Sequence, residues 1–290
     1  MSQTKPQSVV FLGTSAFAVP SLKALASDPA FEVTLVITQP DKPAGRKQML
    51  TPSPVKIAAQ ELSLPIAQPE KINSLTTNHY SLTTRPDFLI VVSYGQILSQ
   101  EILDWPTVAA INVHPSLLPL LPGATPLQHA ILYGLPESGV TVQRMIKELD
   151  AGPILSQLSV PLEPSETFST LHDRLALIGA ELLVKTLKEP LQETAQESEK
   201  ATFCGKLNKA DGIADPKIMT ASQIDRMVRA LTPWPGVSIG TNKILETTLE
   251  SGDLTLPCAD NTTLTIVQIQ PAGGTPMSGS DFIRGNKALR

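Results

Sequence analysis

Four continuous apolar runs punctuate the N-terminal part of the chain: SVVFL at Ser8–Leu12, VTLVI at Val33–Ile37, FLIVV at Phe88–Val92 and VAAINV at Val108–Val113. A strand that is apolar at every position has to be covered on both faces. Helical stretches between the runs supply that cover, as at Ala18–Ala26, where apolar residues recur at helical spacing. This alternation predicts an open, doubly wound α/β sheet. Ligands in such sheets sit beyond the carboxyl ends of the strands. Here the runs lead into Gly13-Thr14-Ser15, Thr38-Gln39-Pro40, Ser93-Tyr94-Gly95 and His114, and these ends mark the expected crevice.

The pattern changes near residue 190. Leu191–Lys200 (LQETAQESEK) is polar and reads as a linker or an exposed helix end. Beyond it, Ala221–Leu231 is a short amphipathic helix with Ile224, Met227, Val228 and Leu231 on one face. It stops at Thr232-Pro233-Trp234-Pro235-Gly236. Short strand-like runs follow at Gly236–Gly240, Lys243–Leu249 and Thr262–Gln270, as in a small antiparallel β domain. The expected division is an α/β domain over 1–190, a linker over 191–204 and a β tail domain over 205–290.

Length and composition agree with two modest domains. The 290 residues are 41% hydrophobic and 17% charged, which excludes global disorder. With 2 Trp, 3 Tyr and 7 Phe, the core has to be aliphatic. The 26 prolines are scattered between apolar runs and read as stiff connections. Two cysteines exclude a disulfide scaffold and a four-cysteine zinc site. No apolar run reaches the ~18 residues of a membrane span. The N-terminal apolar stretch is too short for a signal peptide, so a cytoplasmic protein is expected. A net charge of −4 gives no support to bulk nucleic-acid binding. The charge is uneven: residues 201–290 carry 9 basic and 8 acidic side chains, the remainder 14 and 19.

Three stretches can carry chemistry. In Asn112-Val113-His114-Pro115, a strand places Asn112 and His114 two apart and on one face. A carboxamide beside an imidazole can bind a developing oxyanion and handle a proton. The plainer reading is a turn-capping asparagine and a packed core histidine. In Leu149-Asp150-Ala151-Gly152-Pro153, a loop carboxylate that reached His114 would fix its tautomer and stabilise the imidazolium. Its plainer reading is an Asx turn. The third stretch, from Gln39 to Lys56, is rich in proline and carries Lys42, Arg46, Lys47 and Lys56 against Asp41 alone. It follows a strand, so it hangs over the same edge, where phosphate contacts are plausible; a solvated loop is the plainer reading. The Gly13 turn lacks the dinucleotide fingerprint, and neither a phosphate-binding loop nor a nucleophile elbow is present. His79, His114, His129 and His172 have no metal-ligand spacing, so no metal is expected.

The run NVHPSLLP followed by LDAGPIL resembles the folate-dependent formyltransferase superfamily. FLGTSAFAVPSL, TQPDKPAGR…TPSPVK, VVSYGQIL, ESGVTV and RALTPWPG narrow the resemblance to the methionyl-tRNA formyltransferase family, over nearly the whole chain. The resemblance implies a Rossmann-like, mostly parallel catalytic domain followed by a small OB-like β-barrel. It implies formyl transfer from 10-formyltetrahydrofolate, a co-substrate, to the α-amine of methionine on initiator tRNA. Matched motif by motif, Asn112, His114 and Asp150 take the catalytic positions. Ser116, Leu117, Leu118 and Pro119 take the folate-contacting segment, and Tyr94–Ile97 line the pterin pocket. Lys42, Arg46 and Lys47 fall on the insertion used near the tRNA acceptor end. The expected partners are initiator Met-tRNA and a folate, with no membrane, and the expected working form is a monomer. One departure stands out. Where the tRNA enzymes usually continue with basic residues, this chain has Leu120-Leu121-Pro122-Gly123. Glycinamide-specific relatives normally lack the tail, and sugar-specific ones usually lack the basic loop. A non-catalytic RNA-binding relative need not keep Asn112, His114 and Asp150.

Overall fold

The apolar runs lie side by side in one sheet of a computed structural model, which describes residues 5–45, 48–74 and 85–285. The chain first builds β1 (Gln7–Gly13), α1 (Val19–Ser27) and β2 (Phe31–Ile37), then a hairpin of β3 (Lys42–Ala44) and β4 (Met49–Thr51). Next come α2 (Pro54–Glu61), β5 (Ile66–Ala67), β6 (Phe88–Val92), α3 (Gln100–Leu103) and β7 (Ala109–His114). These are followed by β8 (Leu120–Gly123), α4 (Pro126–Leu132), β9 (Glu137–Arg144), β10 (Ile154–Pro161), α5 (Phe168–Lys188) and β11 (Thr202–Cys204). All four expected strands occur within a residue or two of their sequence bounds.

The main sheet has the order β10-β9-β7-β6-β1-β2-β5. The pairs β1–β2, β1–β6 and β6–β7 are parallel, as continuous apolar strands require. The pair β7–β9 is antiparallel. The reversal falls at the side where the sequence stops being uniformly apolar: β10, the edge strand, is largely exposed and needs cover on one face only. One face of the sheet buries Val10, Leu12, Ile37, Leu89, Val91 and Ala110, with Tyr94, Leu98, Ile102 and Leu103 packed over them. On the other face, Val113 of β7 and Val140 of β9 meet α5 at Gly179. The helix buries Leu175, Ala176, Ala180, Leu183 and Leu187 there, each large side chain contributing roughly 1.5–3 kcal/mol. Asp87 ties the starts of β1 and β6 together. Its carboxylate accepts from the Ser8 backbone N–H (2.7 Å), the Ser8 hydroxyl (2.9 Å) and the Thr107 hydroxyl (3.1 Å). Those donors, the Ser8 N–H foremost, hold its pKa below the usual carboxylate value.

Two compact units result. One comprises Met1–Pro122, Gly139–Ser159 and His172–Phe203; the other comprises Gly123–Ser138, Val160–Leu171 and Cys204–Arg290. In the second unit, α6 (Ala221–Leu231) opens with a capping box. Thr220 accepts from the Gln223 N–H, and the Gln223 side chain accepts from the Thr220 N–H. Ile224, Met227, Val228 and Leu231 are buried, as their spacing predicts. The helix packs on α4 and on an antiparallel sheet of β12 (Val237–Ile239), β13 (Asn242–Thr248), β14 (Thr255–Pro257), β15 (Thr263–Gln270) and β16 (Met277–Ser278). The sheet order is β12-β13-β15-β14, with β16 also on β15. A final helix, α7 (Gly279–Arg284), packs on β15. The segment 191–204, expected as a linker or helix end, contains a short 3-10 turn at Ser198–Lys200 and β11.

Candidate active site

The register of β7 against β9 sets Asn112 opposite Gln143 and His114 opposite Thr141. Side chains alternate along a strand, so these four polar residues share one face at the carboxyl end of β7. His114 is 5% exposed. Its Nε2 lies 3.1 Å from the Leu121 carbonyl oxygen. A carbonyl only accepts, so Nε2 carries the proton, and the neutral ring presents a bare Nδ1. That nitrogen is 3.7 Å from Asp150 Oδ1, so protonation at Nδ1 turns this approach into an ion pair. The structure thus brings Asp150 to His114, and the Leu121 carbonyl, instead of the carboxylate, sets the tautomer. Among the described residues the Asn112 carboxamide has no hydrogen-bond partner, and the residue is half-buried.

Asp150 reaches this face because the chain leaving β9 folds back over it. Asp150 adopts φ 53°, a left-handed conformation that is costly for a side chain with a Cβ. Two residues on, Gly152 passes so close to β9 that a Cβ would lie 1.8 Å from the Arg144 carbonyl oxygen. The glycine of the LDAGP motif is therefore a steric requirement. Gln143 Nε2 is 3.4 Å from Asp150 Oδ1, and Gln196 Nε2 bonds the carbonyls of Asp150 (2.8 Å) and Gly152 (2.7 Å).

The segment after His114 is held from inside. The buried Ser116 hydroxyl donates to the Leu120 carbonyl at 2.6 Å. The Thr141 hydroxyl donates to the Ser116 carbonyl (2.6 Å) and accepts from the Leu118 N–H (3.1 Å) and from Gln157 (2.8 Å). Leu118 is buried, Leu117 and Pro119 are half-buried, and Leu117 packs against Gly139. The departure from the basic pattern, Leu120–Gly123, is strand β8, paired with β11. Its Leu121 has φ 57°, which aims the carbonyl at His114, and its N–H meets the Thr202 hydroxyl at 3.2 Å.

Neighbouring strand ends complete one wall. The Tyr94 carbonyl accepts from Gln39 (2.7 Å) and from the Thr14 hydroxyl (2.9 Å). Ser93 has φ 49°, and Gly95 has φ +85°. Gln96 is fixed by the Ile72 N–H and the Glu70 carbonyl, while Ile97 is exposed. The Tyr94 ring points into the aliphatic core, 2% exposed, and its hydroxyl has no partner among the described residues. Burial pushes its pKa up to about 12.

The basic loop forms the β3–β4 hairpin. Lys42 is exposed and bonds the Gln39 side chain. Lys56 is committed to Asp41 at 2.6 Å, which lowers the Asp41 pKa. Arg46 and Lys47 lie outside the described residues, as does His79. Met49 and Leu50 on β4 are bare to solvent. His129 bonds back to Thr125, and His172 stacks edge-on against Phe17. Among the described residues no group of three His, Cys, Asp or Glu side chains is placed to hold a metal, and no helix is long and apolar enough to cross a membrane. Sequence reasoning missed Thr141, Gln143, Gln157 and Gln196. Only Thr141 and Gln143 left a trace, as two polar positions flanking the buried Val142 on β9.

The chain matches the family model "Formyl transferase" over residues 7–187 and "Formyl transferase, C-terminal domain" over 206–287. A solved structure of an N-formyltransferase from Helicobacter canadensis, in complex with folinic acid and dTDP-3-aminofucose, shares the fold with a TM-score of 0.69. The two are 18% identical over 90% of this chain and 98% of that one. The methionyl-tRNA formyltransferase of Bacillus subtilis is 36% identical over 96% of this chain and 94% of its own length. That of Listeria monocytogenes is 38% identical over 96% and 95%. Likeness of this depth, across almost the whole of both chains, means that the protein belongs to the methionyl-tRNA formyltransferase family.

Proposed function

We propose that the protein transfers the formyl group of 10-formyltetrahydrofolate to the α-amine of methionine on initiator tRNA, for translation initiation. The observation that carries the reading is the His114–Asp150 approach, with the free Asn112 carboxamide on the same strand face. A neutral amine attacks a formyl carbon directly, so a covalent nucleophile and a metal are not required. The co-substrate supplies the formyl group. The residues present fit it: the strand ends offer backbone and apolar surface from Tyr94–Ile97 and from Ser116, Leu117, Leu118 and Pro119. The uncommitted Asn112 amide is the donor that a developing oxyanion needs. His114 keeps Nε2–H on the Leu121 carbonyl and takes the amine's proton at Nδ1, where Asp150 stabilises the imidazolium; it returns that proton to N10 of the departing tetrahydrofolate as the oxyanion collapses and the formyl C–N10 bond breaks.

The reading divides the labour between residues 1–190, which carry the chemistry, and an OB-like tail over 205–290 that contacts tRNA and is mildly less acidic than the rest of the chain. The antiparallel sheet of the tail is consistent with such a barrel. With Leu120-Leu121-Pro122 uncharged, phosphate contact within residues 1–190 falls to Lys42, Arg46 and Lys47. The reading also takes the enzyme to be a cytoplasmic monomer.

The test is formyl-methionine formation from 10-formyltetrahydrofolate and charged initiator tRNA. No transfer, together with activity on an amino-sugar nucleotide, overturns the reading. Asn112→Ala is expected to lower kcat by about 10²–10³-fold. His114→Ala and Asp150→Ala are also expected to lower turnover strongly with the fold intact. Wild-type turnover from any of the three refutes its assigned role.

A further inference from the structure

We propose that Gln196, in the segment between α5 and β11, is a positioning residue for Asp150, acting directly and through Gln143. The proposal rests on Asp150 being the partner of His114. Gln196 Nε2 lies 2.8 Å from the Asp150 carbonyl, 2.7 Å from the Gly152 carbonyl and 3.2 Å from Gln143 Oε1. The two N–H groups of one amide therefore serve three acceptors, one N–H being shared.

Each contact has a geometric consequence. Asp150 has φ 53°, a left-handed conformation that aspartate enters more readily than most residues but that local contacts must favour over the extended and helical ones. The Asp150 and Gly152 carbonyls converge on one donor from outside the loop, which keeps that conformation. The third contact decides the orientation of Gln143, which is 2% exposed and so has no bulk water to satisfy a flipped amide. Because its Oε1 faces Gln196, its Nε2 faces Asp150 Oδ1 at 3.4 Å. That oxygen is the one 3.7 Å from His114 Nδ1. Were Gln143 reversed, its carbonyl oxygen would repel the carboxylate and tilt it from the imidazole. The Gln196 amide thus sets both the backbone and the side-chain environment of the group that holds the imidazolium.

The experiment uses the full-length enzyme with Gln196→Ala and Gln196→Met, the latter keeping bulk while removing the donor. Steady-state kinetics with 10-formyltetrahydrofolate and charged initiator tRNA should show kcat lowered by about 10²-fold. KM for both substrates should stay as in the wild type. In an Asp150→Asn background neither change should lower kcat further. Wild-type kcat in both single variants overturns the proposal. So does an equal fold-loss with and without Asp150→Asn, which marks a merely structural role. Wild-type turnover from Asp150→Asn alone removes the premise and the proposal with it, and that result is read separately from the Gln196 variants.

Discussion

The Tyr94 hydroxyl is buried in the cluster of Val10, Leu12, Leu89 and Ala110, without a hydrogen-bond partner among the described residues. Leaving such a group unpaired costs about 1–3 kcal/mol, so Tyr94→Phe should leave stability unchanged or raise it by up to about 1 kcal/mol in urea unfolding. A pH dependence follows. The folded pKa of about 12 stands above the unfolded value near 10. The unfolded chain therefore loses its proton first, and the stability held below pH 10 is lost as the pH rises toward 12. The loss is about 2 kcal/mol, and the Phe variant should not show it. His114 makes a different kind of statement at the same scale. Its proton sits on Nε2 because of a backbone carbonyl, and that carbonyl is aimed by the left-handed Leu121. Proline at 122 and glycine at 123 are readable in the sequence, but the direction of one carbonyl is not.

At the scale of elements, the loop from β9 to β10 is held tightly against β9. Gly152→Ala puts a methyl on the Arg144 carbonyl, so the loop must move and carry Asp150 with it. Turnover should fall by at least the ~10²-fold expected of a displacement near 1 Å, while the circular-dichroism spectrum is retained. In the other unit, Thr220→Ala removes the hydroxyl of the α6 capping box and should cost about 1 kcal/mol by denaturant unfolding. What the sequence discloses follows the same grain. Strands β1, β2, β6 and β7 are legible because each is apolar throughout, and α6 because its face has a period. The pairing of β8 with β11 is not, since its hydrogen bond from Leu121 to Thr202 spans 81 positions and leaves no periodic mark. Asn112, His114 and Asp150 stand out by motif, whereas Gln196 reaches Asp150 across 46 positions from a stretch that reads only as polar.

For the whole molecule, the net charge of −4 coexists with a local cluster of Lys42, Arg46 and Lys47 on one loop. Attraction to phosphates from so few groups is salt-sensitive and short-ranged. KM for charged tRNA should therefore rise with salt, and Arg46→Ala or Lys47→Ala should each reduce the slope of log KM against log salt by about one. KM for the folate should move far less; a flat tRNA response would place phosphate contact elsewhere. The division into units also bears on how such a gene can be shuffled. The chain passes five times between the two units, and α6 of the tail packs on α4, whose residues lie some ninety positions earlier. Recombination that exchanged the tail at the end of α5 would strand α4 without its mate. It would also import a foreign segment where Thr194 pairs with Ile154 and Gln196 grips the Asp150 loop. A graft that kept this unit whole would have to carry α4 along with α6.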